Sequence, residues 1–258
     1  MKILVIGAGN MGAWMVESLC LQHDVAVFDK NKSKLRYFFN THRFVSLEQI
    51  EAFRPELVIN AVSLQNTVKA FNDILPYLPE NCIISDITSV KTGLPEFYHQ
   101  SGRRFVSSHP MFGPTFGNLK ELSSQSAILI KEGDEEGKAF FRAFYESLNL
   151  NLYEYTFEAH DQTTAYSLSI PFVSTLVFGA CMKHQEAPGT TFKKHMAIAH
   201  GLMTEDPYLL SEILFSPNTL PQIERIREEL EVLLNLVKSR DTAALHQFIA
   251  KIKTNLGE

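Results

Sequence analysis

The sequence has 258 residues, enough for one large domain or two smaller ones. Hydrophobic residues make up 45% and charged residues 21%, the balance of a soluble chain with a real core, and a net charge of -5 excludes the basic character of nucleic-acid binders. The three cysteines, Cys20, Cys82 and Cys181, are odd in number, far apart and without CxxC spacing. That pattern argues against a disulfide framework and a zinc site, so no metal is expected, and the thiols suit a reducing cytoplasm.

In chain order, residues 2–6 form the first strand candidate, with no targeting segment expected before it. Further strands are expected over 24–28, 57–61, 82–86, 104–107, 127–130 and 151–155. Most run continuously apolar, as parallel strands covered on both faces do. Helical patterns fill the gaps at 11–22, 65–75 and 135–148. Alternating β and α implies a mostly parallel sheet with helices on both faces. After residue 155 the strand-like runs stop. Helices are expected over 157–183, 191–202, 207–215, 217–239 and 241–255, with a kink near Pro171 and Asp241 as the last N-cap. The reading is two domains, 1–155 and 156–258. The uncharged stretch 162–182 contains Gln162, Thr163, Thr164, Ser167, Ser169, Ser174 and Thr175. It reads as a helix buried between protein surfaces rather than a membrane span. It needs more cover than a small helical domain offers, which predicts a homodimer through that domain.

Gly7-Ala8-Gly9-Asn10-Met11-Gly12 fits G-x-G-x-x-G between the first strand and first helix, the context that a dinucleotide-binding turn requires. Gly7 allows the tight turn, Gly9 lets a pyrophosphate approach the backbone, and Gly12 lets helix and strand pack closely. The helix N-terminus beside Asn10 and Met11 offers unpaired N–H groups to phosphates. This predicts a doubly wound Rossmann sheet followed by an all-helical C-terminal domain. Asp29, at the end of the second strand, suits the ribose hydroxyls of NAD and repels the 2′-phosphate of NADP. Lys30 and Lys32 soften that preference and leave NADP as the alternative. Asn60-Ala61-Val62-Ser63 ends another strand at the sheet's carboxyl edge, so Val62 and Ser63 are expected beside the cofactor.

Two more strand ends carry polar clusters, Asp86-Ile87-Thr88-Ser89-Val90-Lys91 and Ser107-Ser108-His109-Pro110-Met111-Phe112-Gly113-Pro114. Both are expected to follow their strands at the cofactor edge, with Ser89 and His109 facing the nicotinamide. An imidazole there suits proton transfer from an alcohol near neutrality, and Pro110 restricts its backbone.

The glycine motif, the Asp-x-x-Ser-Val-Lys stretch and above all His-Pro-Met-Phe-Gly-Pro resemble the prephenate and arogenate dehydrogenase family. Glu158-Ala159-His160-Asp161 resembles the His-Asp pair that opens that family's helical domain. The resemblance is strong to about Pro114 and looser beyond. It implies a Rossmann domain, a helical dimerisation domain, and oxidative decarboxylation of prephenate to 4-hydroxyphenylpyruvate. His109 would draw off the ring hydroxyl's proton, Ser89 would orient His109 or the hydroxyl, and Lys91 would serve as a substrate-binding residue or a surface lysine at a helix start.

The match is incomplete. Leu168-Ser169-Ile170-Pro171-Phe172 keeps the proline of a Ser-His-Leu-Pro-His-like segment and lacks both histidines. His200 stands where the family tends to have an arginine that binds a substrate carboxylate. Either His200, a nearby Lys193 or Lys194, or a partner subunit supplies that charge, or the substrate is arogenate. Two other readings stay open: a Rossmann dehydrogenase of the β-hydroxyacid or pyrroline-carboxylate type, and a non-catalytic dinucleotide-binding sensor.

Overall fold

In the computed structural model, which describes residues 1–112 and 124–258, an eight-stranded sheet runs in the order β3-β2-β1-β4-β5-β6-β7-β8. Its strands are β1 (Lys2–Ile6), β2 (Asp24–Phe28), β3 (His42–Phe44), β4 (Leu57–Asn60), β5 (Ile83–Asp86), β6 (Phe105–Pro110), β7 (Ser126–Ile130) and β8 (Asn151–Tyr155). Described helices of this half are α1 (Asn10–Leu19), α2 (Leu47–Phe53), α3 (Thr67–Ile74), α4 (Leu94–Ser101) and α5 (Glu135–Ser147). The helical half holds α6 (Phe157–Cys181), α7 (Thr190–Leu202), α8 (Pro207–Leu214), α9 (Thr219–Ser239) and α10 (Thr242–Asn255). This is the predicted Rossmann sheet followed by helices.

Alternation along each strand divides the core into two faces. Ile3, Val5, Val27, Ile59 and Val106 meet Met15 and Leu19 of α1 and Phe141 of α5. Leu4, Ile6, Val58 and Ile84 meet Phe53 of α2, Phe71 of α3 and Tyr98 of α4. Strands apolar on both faces must be covered on both, and the helices provide that cover.

The strand β3 and the helices α2 and α4 were not foreseen. β3 has only three residues, two of them exposed, so its hydrophobic pattern is too short to register. Helix α2 is signalled instead by a capping box, with Ser46 at the N-cap and Gln49 at N3.

One strand boundary needs correction. The run 104–107 continues as a strand through Pro110, so His109 lies inside β6 rather than after it. β6 pairs in parallel with β5 through Asp86↔Ser107, then antiparallel with β7 through His109↔Ile128. The second partner takes over where the first ends, and the ladder extends by three residues.

The chain divides into two compact units, Met1–Gln162 and Thr163–Glu258. The division falls within α6 rather than at residue 155, because Phe157 in its first turn packs into the sheet's core. Helix α6 is continuous with Pro171 inside it, and is long and apolar enough by length and composition to cross a membrane. Only 22% of that apolar stretch is buried, so the expected fully buried helix is corrected, although buried Ser169 Oγ lies 2.7 Å from Thr219 Oγ1, a pairing within the second unit. Asp241 caps α10, accepting from Ala244 N–H.

Candidate functional site

The glycine turn has the geometry its sequence requires. Gly7 has φ +98°, and a Cβ there would sit 2.7 Å from the Ala61 carbonyl oxygen. A Cβ on Gly12 would sit 1.8 Å from the Gly7 carbonyl oxygen, so close helix packing forbids a side chain. Gly9, by contrast, faces open space and lines a cavity of about 680 Å³. It is also the N-cap of α1, and no side chain caps that terminus. The N–H groups beside Asn10 and Met11 therefore remain available to an anion.

The same cavity is lined by Asp29, Val62 and Ser63. Asp29 Oδ2 accepts from Ala8 N–H at 2.8 Å and Oδ1 from Asn31 N–H at 2.7 Å. These bonds hold the carboxylate against the glycine turn, and each oxygen retains a second acceptor site for a ribose hydroxyl. Buried Asn60 braces the other wall. Its amide donates to the Thr67 carbonyl at 2.9 Å, and its oxygen accepts from Val62 N–H. The residues expected around a dinucleotide thus come together, and open space at Gly9 fits a pyrophosphate.

Strand register places the second cluster on the same edge. Ile6 pairs with Asn60, Asn60 with Asp86, and Asp86 with Ser107. The row crosses three strand spacings, about 14–15 Å at 4.7–4.9 Å each. His109 lies two residues past its end, on the far side of β1 from Asp29.

Below His109 is a closed polar network. Lys91 is fully buried and its Nζ donates to Asp86 Oδ2 at 2.6 Å and to the Ser108 carbonyl at 2.7 Å. Asp86 also accepts from Tyr98 Oη at 2.6 Å and from Thr88 Oγ1 at 2.8 Å. Burial works to raise the Asp86 carboxyl, but Lys91 and the Tyr98 hydroxyl outweigh it and hold it below the usual range. Lys91 is lowered by burial against the pull of Asp86. The two readings of Lys91, substrate contact and surface lysine, are therefore corrected. Its donors are spent internally, and it clamps the end of β5 to β6.

His109 is buried, with its Nδ1 3.0 Å from His160 Nε2. His160 is fully buried, and its Nδ1 lies 2.9 Å from Asp161 Oδ1. Burial lowers His109 well below the usual histidine value, and the His160 ring and Lys91 ammonium add to the effect. Burial also lowers His160, against the opposing pull of Asp161. Two neutral imidazoles in series, ending on a carboxylate, can hold one ring nitrogen ready to take a proton.

Ser89 is half-buried in the turn after β5, and the ring contact that orients His109 comes from His160. His200 lies exposed on α7 of the second unit. Gly113 and Pro114 of the His-Pro-Met-Phe run lie outside the described residues, while Phe112 packs edge-on against Trp14 at 5.3 Å. His160 and Asp161 were singled out only by resemblance. No local signal in the sequence places a histidine 51 residues away against His109. Among the described residues no cluster of three or more His, Cys, Asp or Glu could hold a metal. The cysteines there are free, and burial pushes the Cys82 thiol up to about 12.

Residues 19–141 match the family model described as prephenate dehydrogenase, nucleotide-binding domain. A probable arogenate/prephenate dehydrogenase of Methanocaldococcus jannaschii is 22% identical over 221 residues, 80% of this chain and 49% of that protein. The chain spans about half the length of the curated relatives it matches. Prephenate dehydrogenase from A. aeolicus, solved with hydroxyphenyl propionate and NAD+, superposes with a TM-score of 0.85 at 20% identity, covering 99% of this chain and 96% of that one. Synechocystis arogenate dehydrogenase superposes with a TM-score of 0.80 at 19% identity, covering 100% and 99%. At these identities the structural likeness establishes the fold.

Lys91→Met leaves Asp86 buried without its counter-charge. The expected loss of stability is about 3–5 kcal/mol, read from the urea midpoint. A loss of less than about 1 kcal/mol, typical of an exposed pair, contradicts the internal clamp.

Proposed function

We propose that this chain, whose nucleotide-binding domain belongs to the prephenate/arogenate dehydrogenase family, is an NAD-dependent oxidoreductase that converts prephenate to 4-hydroxyphenylpyruvate in tyrosine biosynthesis. One observation carries the reading. A buried neutral imidazole, His109, stands at the sheet edge that also bears the glycine turn, three strands away. Such a group is a base for an alcohol being oxidised there.

The backbone of Gly7, Gly9, Asn10, Met11 and Gly12 would hold the pyrophosphate, Asp29 the adenosine ribose, and Val62 and Ser63 the middle of the dinucleotide. Asp29 favours NAD over NADP because a 2′-phosphate would meet a carboxylate. When bound, NAD supplies the acceptor for the hydrogen and bonding pair of the ring C–H. His109 takes the proton of the hydroxyl on the same ring carbon. Its low basicity keeps it unprotonated, and therefore competent, through neutral pH. Lys91 holds the Ser108 carbonyl immediately before it, so the ring has little freedom to swing away. Ser89, in the adjacent turn, is assigned to the substrate hydroxyl. Loss of the ring carboxylate as carbon dioxide returns a bonding pair that aromatises the ring.

The helical unit is assigned to dimerisation. Its α9 and α10 expose Leu230, Val237, Ile249 and Ile252, more apolar surface than a solvated helix pair needs. Light scattering at micromolar concentration is expected to give twice the monomer mass, and a monomer removes this assignment.

Steady-state turnover of prephenate and arogenate, each with NAD and NADP, tests the reaction. Prephenate with NAD is expected to give the highest kcat/KM. His109→Asn should lose about 100-fold or more in kcat while binding NAD normally. Preference for arogenate keeps the chemistry and changes the substrate, whereas no turnover of either removes the reading.

The base must be neutral, and its folded value lies well below 6.5. The acid limb of kcat/KM is therefore expected below pH 6.5, because His109 stays deprotonated until the pH falls through its depressed value. A limb centred at or above 6.5 would show that burial does not govern the base.

A further inference from the structure

A neutral imidazole is a base at only one of its two nitrogens. What decides which one in His109 is visible in the chain of contacts behind it. Asp161 bears a carboxylate, which accepts and does not donate. Its Oδ1 lies 2.9 Å from His160 Nδ1, so that nitrogen carries the proton. A neutral ring protonated at Nδ1 has an acceptor at Nε2. His160 Nε2 lies 3.0 Å from His109 Nδ1, so His109 is the donor in that bond. His109 then carries its proton on Nδ1, and its Nε2 is a bare lone pair.

We propose that His160 and Asp161 are positioning residues that hold His109 in the Nδ1–H tautomer, the one neutral form whose Nε2 can take a proton from the substrate. The inference rests on the proposed reaction for its consequence, and on the two hydrogen bonds for its geometry. Reversing either bond reverses the outcome. A proton on His160 Nε2 would turn His109 Nδ1 into an acceptor and place the His109 proton on Nε2.

The same chain stabilises the charged form. The substrate O–H bond breaks and its proton forms an N–H bond at His109 Nε2. Bound NAD would accept the ring C–H hydrogen with its bonding pair, and the ring carboxylate would leave as carbon dioxide. The pair that carbon dioxide leaves behind moves through the ring to the oxygen, which recovers the proton from Nε2 as a phenol. His109 is thus base and then acid, and it must hold an imidazolium between the two steps. The groups around it are Lys91 and Asp86 from β5 and its following turn, the Tyr145 hydroxyl from α5 bonded to Ser108, and His160 and Asp161 from α6. Lys91 opposes that positive charge. Asp161, bonded to His109 through His160, is the counter-charge on the hydrogen-bonded path.

His160 is fully buried while the adjacent Asp161 side chain is 38% exposed, so the imidazole is sealed in and the carboxylate stays hydrated at the edge.

The test uses the full chain labelled with ¹⁵N at histidine, because ring nitrogen shifts report tautomers directly. In the wild type the His109 proton is expected on Nδ1. Asp161→Asn can donate to His160 Nδ1, move that ring's proton to Nε2 and flip His109. That variant is expected to lose about 100-fold or more in kcat, with KM and NAD affinity held to within roughly threefold, while Asp161→Glu recovers about a tenth or more of the wild-type rate. A merely structural role would not move a tautomer. A wild-type His109 protonated at Nε2, or Asp161→Asn with wild-type tautomer and kcat, overturns the proposal. Should the wild type turn over no cyclohexadienyl substrate, the proposed reaction fails, and the tautomer measurement still decides the relay.

Discussion

A single buried ammonium organises the chemical end of this sheet. Lys91 has no access to water, and an unpaired charge there would cost several kcal/mol. It must therefore be met from two directions, and it is: by the Asp86 carboxylate at the end of β5 and by the Ser108 carbonyl within β6. Tyr98 and Thr88 complete the shell of Asp86 and tie in α4 and the turn after β5. Two strands that would otherwise end independently are locked together one residue before His109. The clamp is also electrostatic, since a cation behind the imidazole disfavours a second positive charge.

The cofactor edge follows a different logic, in which the chain removes atoms rather than adding them. Gly7 and Gly12 are glycines because a Cβ at either would collide with backbone. Gly9 is a glycine with nothing near it, and the space it leaves is where phosphates would meet the uncapped start of α1. Asp29 and Asn60 frame that opening from β2 and β4 through bonds to backbone N–H groups. Polar side chains committed to backbone hold a turn in one shape, and a preformed turn binds with less ordering cost.

Between these ends lies the register of the sheet. The row from Ile6 through Asn60 and Asp86 to Ser107 sets Asp29 on one side of β1 and His109 on the other. An extended two-part ligand lying along the carboxyl edge would meet its recognition groups in order, carboxylate first and imidazole last. The antiparallel strand β7 then lengthens β6, so that His109 sits on a hydrogen-bonded ladder rather than on a loop. A base built into a sheet is held more rigidly than one on a connecting segment.

Much of this was legible in the chain of letters, and the reason is locality. Continuous apolar runs dictated the parallel strands, and the spacing of Gly7, Gly9 and Gly12 dictated the turn, because each depends on a handful of neighbouring residues. Asp29 was legible as a residue at a strand end for the same cause, and His109 as a polar residue of the same sheet edge, though not its place inside β6. The brief β3, the helices α2 and α4, and the reach of β6 to Pro110 were not, since their hydrophobic signal is weak or their extent is set by a partner strand distant in sequence. Lys91 is the sharpest case. By itself a lysine after a Ser-Val pair reads as a solvated helix start, and only the packing of Asp86, Thr88 and Ser108 around it turns it into a buried clamp. His160 and Asp161 likewise gain their meaning from His109, 51 positions back along the chain. Desolvation and long-range contact decide such roles, and neither is a property of a residue and its neighbours in sequence.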